Sequence, residues 1–152
     1  MTWTQPPPLP SGEVRSFLEK APIARISSLN ADGTIHSAPV WFIYRDDTLI
    51  IWTTEASRKV KNIKRNRRVT VLVDDEKTAI GVLVYGEAEL DYNVGLEETI
   101  SVSEKYMSSR QAEIYAKEFL EIARGGAVKI IIRPRRVVTF DSGRDDKMRI
   151  PP

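Results

Sequence analysis

The sequence has no cysteine and a single histidine, His36, among its 152 residues. Without thiols there are no disulfides, no thiolate nucleophile and no cysteine-built zinc site. One histidine excludes paired-histidine metal sites, and any histidine-dependent triad has to use His36. Neither sign of charge dominates: 23 Lys and Arg stand against 21 Asp and Glu, so no global field draws the molecule to nucleic acid. Long hydrophobic runs are missing as well. The apolar stretches at 80–85 and 128–132 fall far short of the roughly 18 residues that cross a bilayer, and suit buried strands. The first residues show no basic segment ahead of an apolar one, which makes the cytoplasm the expected location. With so little reactive chemistry in the side chains, a cofactor is expected to carry the reaction if the protein is an enzyme.

What is present is the making of one globular domain, 1–152, with 41% hydrophobic and 29% charged residues. Prolines crowd positions 5–10, so 1–10 read as an extended lead-in. Ser11 opens a short helix with Val14, Phe17 and Leu18 on one stripe. Strands are predicted at 23–29, 34–44 and 48–54, joined by a turn at 30–33 and another at Asp46-Asp47. Along 34–44, Ile35, Ser37, Pro39, Trp41 and Ile43 point one way; His36, Ala38, Val40, Phe42 and Tyr44 point the other. Pro39 has no N–H for a ladder and marks an edge, a bulge or a bend.

A helix follows at 56–65, then strands at 69–74 and 78–90, the latter interrupted by Gly81 and Gly86. Two amphipathic helices, 94–107 and 109–123, make a helical excursion over 94–123. The last strands, 128–132 and 136–140, meet around Pro134, and 141–152 is a polar tail. Short turns between most strands mean antiparallel pairing. Six or seven strands with peripheral helices make a mainly β protein, a closed or partly closed barrel.

Two constellations carry candidate chemistry. Residues 52–59 leave a strand, turn and enter a helix, where free N–H groups and the helix dipole favour an anion. Thr53, Thr54 and Ser57 supply hydroxyls, and Arg58 and Lys59 supply charge, enough to hold one terminal phosphate. The same residues also serve plain helix capping, and sequence leaves the two roles open. The second constellation is Ala38, Pro39, Val40, Trp41 and Phe42. There the disturbed strand offers backbone groups to the edge of a planar ring, while Trp41 and Phe42 by themselves suit barrel core.

Other features are weaker. Residues 58–68 contain seven bases and no acid, yet no aromatic is interleaved for base stacking, so nucleic acid is not an expected partner. Asp74-Asp75-Glu76 and Asp145-Asp146 match no cation loop and read as turns, so no metal site is expected. Nothing adjacent in sequence orients His36 as a base. No catalytic side chain can be assigned.

In order and spacing, a set of short motifs resembles the pyridoxamine-phosphate-oxidase-like family of flavin-binding split barrels. They are Ile23-Ala-Arg-Ile-Ser-Ser with Asp32-Gly33, Ala38-Pro-Val-Trp-Phe42, Trp52-Thr53, Ser57-Arg-Lys59, Asn62-Ile63 with Asn66 and Val69, and Tyr85-Gly-Glu-Ala-Glu89. The resemblance implies a six-stranded antiparallel split barrel that forms a homodimer, with FMN between the subunits. It implies that Ser37, Ala38, Pro39, Val40 and Trp41 lie along the isoalloxazine, and that Trp52, Thr53, Ser57, Arg58 and Lys59 complete the cofactor site, the last three at the phosphate. The oxidase's own substrate residues are not kept: its arginine and lysine fall at Ser37 and Phe42, a flavin-contacting glutamine at Gly81, and its late Arg-x-His has no counterpart. The implied activity is therefore flavin-mediated hydride or electron transfer to a small molecule other than pyridoxamine phosphate. The alternatives are a deazaflavin-dependent reductase whose longer anionic tail meets Lys61, Lys64 and Arg65, or a non-enzymatic flavin or haem module using His36.

Overall fold

A computed structural model describes residues 11–142. The lead-in at 1–10 and the tail beyond Ser142 lie outside the described residues. The elements are α1 (Ser11–Lys20), β1 (Ala24–Leu29), β2 (Ile35–Val40), β3 (Ile43–Arg45), β4 (Thr48–Thr54), α2 (Arg58–Arg65), β5 (Arg68–Asp75), β6 (Ile80–Asp91), α3 (Leu96–Ser103), α4 (Ser109–Ala123) and β7 (Ala127–Asp141). All seven strands join one antiparallel sheet in the order β2-β1-β5-β6-β7-β4-β3.

The order itself requires a barrel. Laid flat, six strand spacings of about 4.8 Å would hold β2 and β3 about 29 Å apart. Yet the chain passes from Val40 to Ile43 through Trp41 and Phe42 alone, three steps that reach about 11 Å at most. The sheet therefore rolls until its edges meet at Trp41-Phe42, where no ladder joins them: a split barrel. Inward-facing Ile26, Val71, Val73, Val82, Val84, Leu49, Ile51, Ile130 and Ile132 are fully buried and fill it. Leu18 of α1 and Val60 and Ile63 of α2 join the same core.

The sheet differs from the sequence reading in its strand count. The single strand expected at 34–44 is two, β2 and β3, because Pro39 and the closure break its ladder; that makes seven strands rather than six. The two strands expected at 128–132 and 136–140 are one, β7. It passes Pro134 by a register shift opposite Tyr85 and Gly86, which leaves Arg135 unpaired. A Cβ on Gly86 would stand 2.7 Å from the Arg133 carbonyl oxygen, so this close crossing demands glycine. The tail expected from 141 begins later, since Asp141 pairs with Ile80.

The helices also start and stop differently. The helix expected at 94–107 ends at Ser103, and a turn carrying Lys105 and Tyr106 leads to α4, which Ser108 and Gln111 open with a capping box. Helix α2 begins at Arg58, two residues later than expected, with Ser57 at its N-cap.

Candidate functional site

The start of α2 leaves several polar groups without a bond inside the described residues. Ser57 has the extended backbone of an N-cap, but its side chain makes no cap hydrogen bond, and its Oγ is buried without a partner among the described residues. The first turn holds no acid, so the amide N–H groups and the dipole face outward uncompensated. Arg58 is exposed. Lys59 is half-buried, and burial pushes its pKa down with no acidic neighbour to offset it. Ser57 thus occupies the cap position without capping through its side chain.

Three further bases of the run, Lys64, Arg65 and Arg67, are already engaged. Lys64 Nζ meets Glu55 at 2.6 Å. Arg65 donates to Asn62 Oδ1 at 2.7 Å and to the Leu29 carbonyl, and Arg67 pairs with Glu89 and the Ala88 carbonyl. Fully buried Asn62 donates to Ser28 Oγ at 3.0 Å and Asn30 Oδ1 at 2.9 Å, tying α2 to β1 and its turn. Asp32 on that turn feels the Arg58 charge, although its pKa is lowered first by the Thr34 hydroxyl and N–H. The end of β1 and its turn are thereby held against α2.

The second constellation is the β2–β3 break. Phe42 is 1% exposed, yet its N–H and C=O find no strand. Residues from the α3–α4 turn take the strand's place. Tyr106 Oη accepts from Phe42 N–H at 2.8 Å and donates to Phe42 C=O at 2.7 Å, and Lys105 Nζ donates to the same carbonyl at 2.9 Å. Lys105 also sits 4.1 Å above the Phe42 ring, and burial lowers its pKa to about 8. Tyr106 stacks on Trp41 with centroids 4.4 Å apart. Sequence reading missed both residues. They lie some sixty positions from Phe42, in a turn whose composition signals nothing but a turn.

Under α3 and α4, Trp41, Phe42, Trp52, Tyr106, Tyr115 and Phe119 border a cavity of about 40 Å³. Trp52 Nε1 is buried without a partner among the described residues. Behind it, opposite Trp52 in the β4–β7 ladder, Lys129 projects from the barrel into a cluster with Asp91 at 3.2 Å and Glu98 at 3.0 Å. Burial pushes the Lys129 pKa down, but these two carboxylates outweigh it and raise it overall. The cluster fastens α3 to the sheet.

The remaining expected residues fall as follows. Ser37, Ala38, Pro39 and Val40 lie on the sheet edge β2, with Ser37 and Pro39 exposed and Ser37 Oγ 2.8 Å from Ser27 Oγ. Thr53 follows Trp52 and so faces the opposite side of β4. His36, opposite Ser28 on β2, is half-buried and makes no side-chain hydrogen bond among the described residues. Among those residues no three His, Asp or Glu side chains converge as a metal site. No helix there is long and apolar enough to cross a membrane.

A family profile described as pyridoxamine 5'-phosphate oxidase matches residues 11–141. The chain belongs to the pyridoxamine 5'-phosphate oxidase family. No curated protein matches it. Among solved structures of the same fold is protein Rv2991 from Mycobacterium tuberculosis, 22% identical with a TM-score of 0.74, covering 98% of this chain and 94% of that one. An F420 reductase is 22% identical with a TM-score of 0.67, covering 85% of this chain and 98% of its own. A FAD-binding protein from Mesorhizobium loti is 18% identical with a TM-score of 0.61, covering 88% and 93%. In this chain the unbonded start of α2 at Ser57 and the clamp on Phe42 stand out among the described residues.

Proposed function

We propose that this member of the family is a flavin-dependent oxidoreductase that binds FMN and acts on a small molecule other than pyridoxamine phosphate. The observation that carries the proposal is the start of α2: among the described residues, a buried, unpartnered Ser57 hydroxyl, free first-turn amides, and Arg58 and Lys59 without a carboxylate in contact. A terminal phosphate satisfies all of these at once. Arg58 offers a planar fork to two phosphate oxygens, and Lys59 offers a partly desolvated charge. Thr53 adds a hydroxyl toward the ribityl chain. Ser37, Ala38, Pro39, Val40 and Trp41 present an edge backbone to the ring, with Trp52 beyond them. When bound, the flavin supplies hydride and electron transfer; the chain binds it, orients it and keeps water away.

FMN is favoured over a deazaflavin with a longer anionic tail. Of the bases suited to that tail, Lys64 and Arg65 are already bonded within the fold, which leaves Lys61. A second copy of the chain is the proposed partner. On the outer sheet face, Ile35 and Tyr85 are 71% and 42% exposed and border a groove of about 450 Å³ with Leu29 and Arg68.

The absorption spectrum of the purified protein and mass spectrometry of its released ligand test the proposal. A yellow dimer that releases FMN supports it, and reduction by a nicotinamide or deazaflavin donor separates enzyme from carrier. A colourless protein that does not take up added FMN overturns it, and release of haem moves the assignment to His36.

A further inference from the structure

We infer that the cleft between the β2–β3 break and helices α3 and α4 binds a small, neutral aromatic molecule carrying a hydrogen-bond acceptor. Protein interiors are close-packed, yet six large aromatic side chains meet here around an unfilled space of about 40 Å³, more than one water needs. Trp52 lines that space with a buried N–H that has no acceptor among the described residues. Indole is a donor only, so the group is satisfied by an acceptor or not at all. The neighbouring Thr99 and Ser103 hydroxyls donate to the Gly95 and Thr99 carbonyls at 2.8 and 2.7 Å, and neither accepts from the indole.

Neither nearby cation, Lys105 or Lys129, is among the residues that line the space. The Lys105 ammonium is on the Phe42 carbonyl and Lys129 is held by Asp91 and Glu98, while no carboxylate lines the space. An ionised ligand would lose its hydration and gain no counter-charge, so the ligand is neutral. The mouth suits a flat ring. Trp41 and Tyr115 are 42% and 39% exposed, and Trp41 is held within 6° of parallel to Tyr106. The inner space admits a group the size of a carbonyl beside Trp52, while the ring rests on the aromatic faces outside. As a binding site the cleft stands alone; that its occupant is the substrate rests on the flavin proposal, because Trp41 ends the segment assigned to the flavin ring.

Acetophenone tests this, with toluene as the same ring without an acceptor. In ¹⁵N-labelled protein as purified, three tryptophans give three indole signals, and Trp52→Phe assigns the one at issue. Acetophenone is expected to shift the Trp52 signal saturably, with a dissociation constant on the order of 1 mM. Toluene is expected to bind about fivefold or more weakly. Val102→Phe, which fills the cleft from α3, is expected to abolish the shift and leave flavin content unchanged. Should that variant not fold, Trp52→Phe is expected to weaken acetophenone about fivefold, read at the Trp41 indole, and to leave toluene unchanged. The inference is overturned by no saturable shift, by equal binding of the two probes, or by a shift that survives Val102→Phe. A colourless protein that takes up no added FMN yet still shows the acetophenone shift defeats the flavin proposal and leaves the cleft standing.

Discussion

The Tyr106 hydroxyl bonds both polar groups of one residue, accepting from the Phe42 N–H at 2.8 Å and donating to the Phe42 carbonyl at 2.7 Å. A single oxygen thus replaces the missing strand at the place where the barrel fails to close. Tyr106→Phe keeps the stack on Trp41 and removes that oxygen. Lys105 still serves the carbonyl, so the orphan is a buried N–H, and the expected loss is about 1–3 kcal/mol of unfolding free energy. Urea denaturation measures it. A loss within error would mean that water reaches the N–H and the clamp is dispensable.

Lys105 makes the same junction sensitive to pH. Its pKa is about 8 in the fold, lowered by burial, against 10.5 unfolded. Between these values the unfolded chain binds the extra proton, so this group's contribution to stability rises with pH across that window. The wild type is therefore expected to gain stability relative to Lys105→Met between pH 8 and 10. ¹³C-dimethyl labelling should give Lys105 a midpoint near 8. A midpoint above 10 would sink the assignment.

The Lys129 cluster should be lopsided. Lys129 keeps 11% of its side chain exposed, whereas Asp91 and Glu98 keep 38% and 31%. Removing a carboxylate leaves a buried cation underpaired; removing the lysine leaves carboxylates that water can reach. Glu98→Ala is expected to destabilise more than Lys129→Met, by about 1 kcal/mol or more in thermal or urea unfolding. The reverse order would mean that water already reaches the ammonium.

At the start of α2, Arg58→Ala with Lys59→Ala is expected to weaken FMN at least a hundredfold and leave the melting temperature of the flavin-free chain within about 2 °C. Two charge-assisted contacts at about 1.5–3 kcal/mol each account for that loss. Isothermal titration reads the affinity; unchanged affinity places the phosphate elsewhere.

Much of this fold was legible in sequence because its signals are local. Alternation along 34–44 put Ile35, Ser37 and Pro39 on one face and Phe42 on the other, and Phe42 is buried as core; Trp41, expected in the core as well, is instead 42% exposed because it lies on the face with exposed Ile35. The turn at Gly33, with φ of 86°, and the order of strands and helices followed from turn chemistry and periodicity. Boundaries slipped where neighbours far along the chain decide them. Pro134 reads as a strand break, yet Gly86 opposite it lets β7 run on, and the 34–44 strand splits because the barrel's two edges have to meet there.

For the candidate site the division is sharper. Sequence by itself brought Ser57, Arg58 and Lys59 to one helix start, since a strand, a turn and a helix in succession place them there whatever surrounds them. It also set the poverty of reactive side chains that points to a borrowed cofactor. Only tertiary structure decided that Ser57 leaves its cap bond unmade, that Lys64 and Arg65 are already engaged, and that Tyr106 and Trp52 border one cleft. These outcomes depend on which distant groups compete for each hydrogen bond and each volume, and a rolled sheet settles that competition only after it closes.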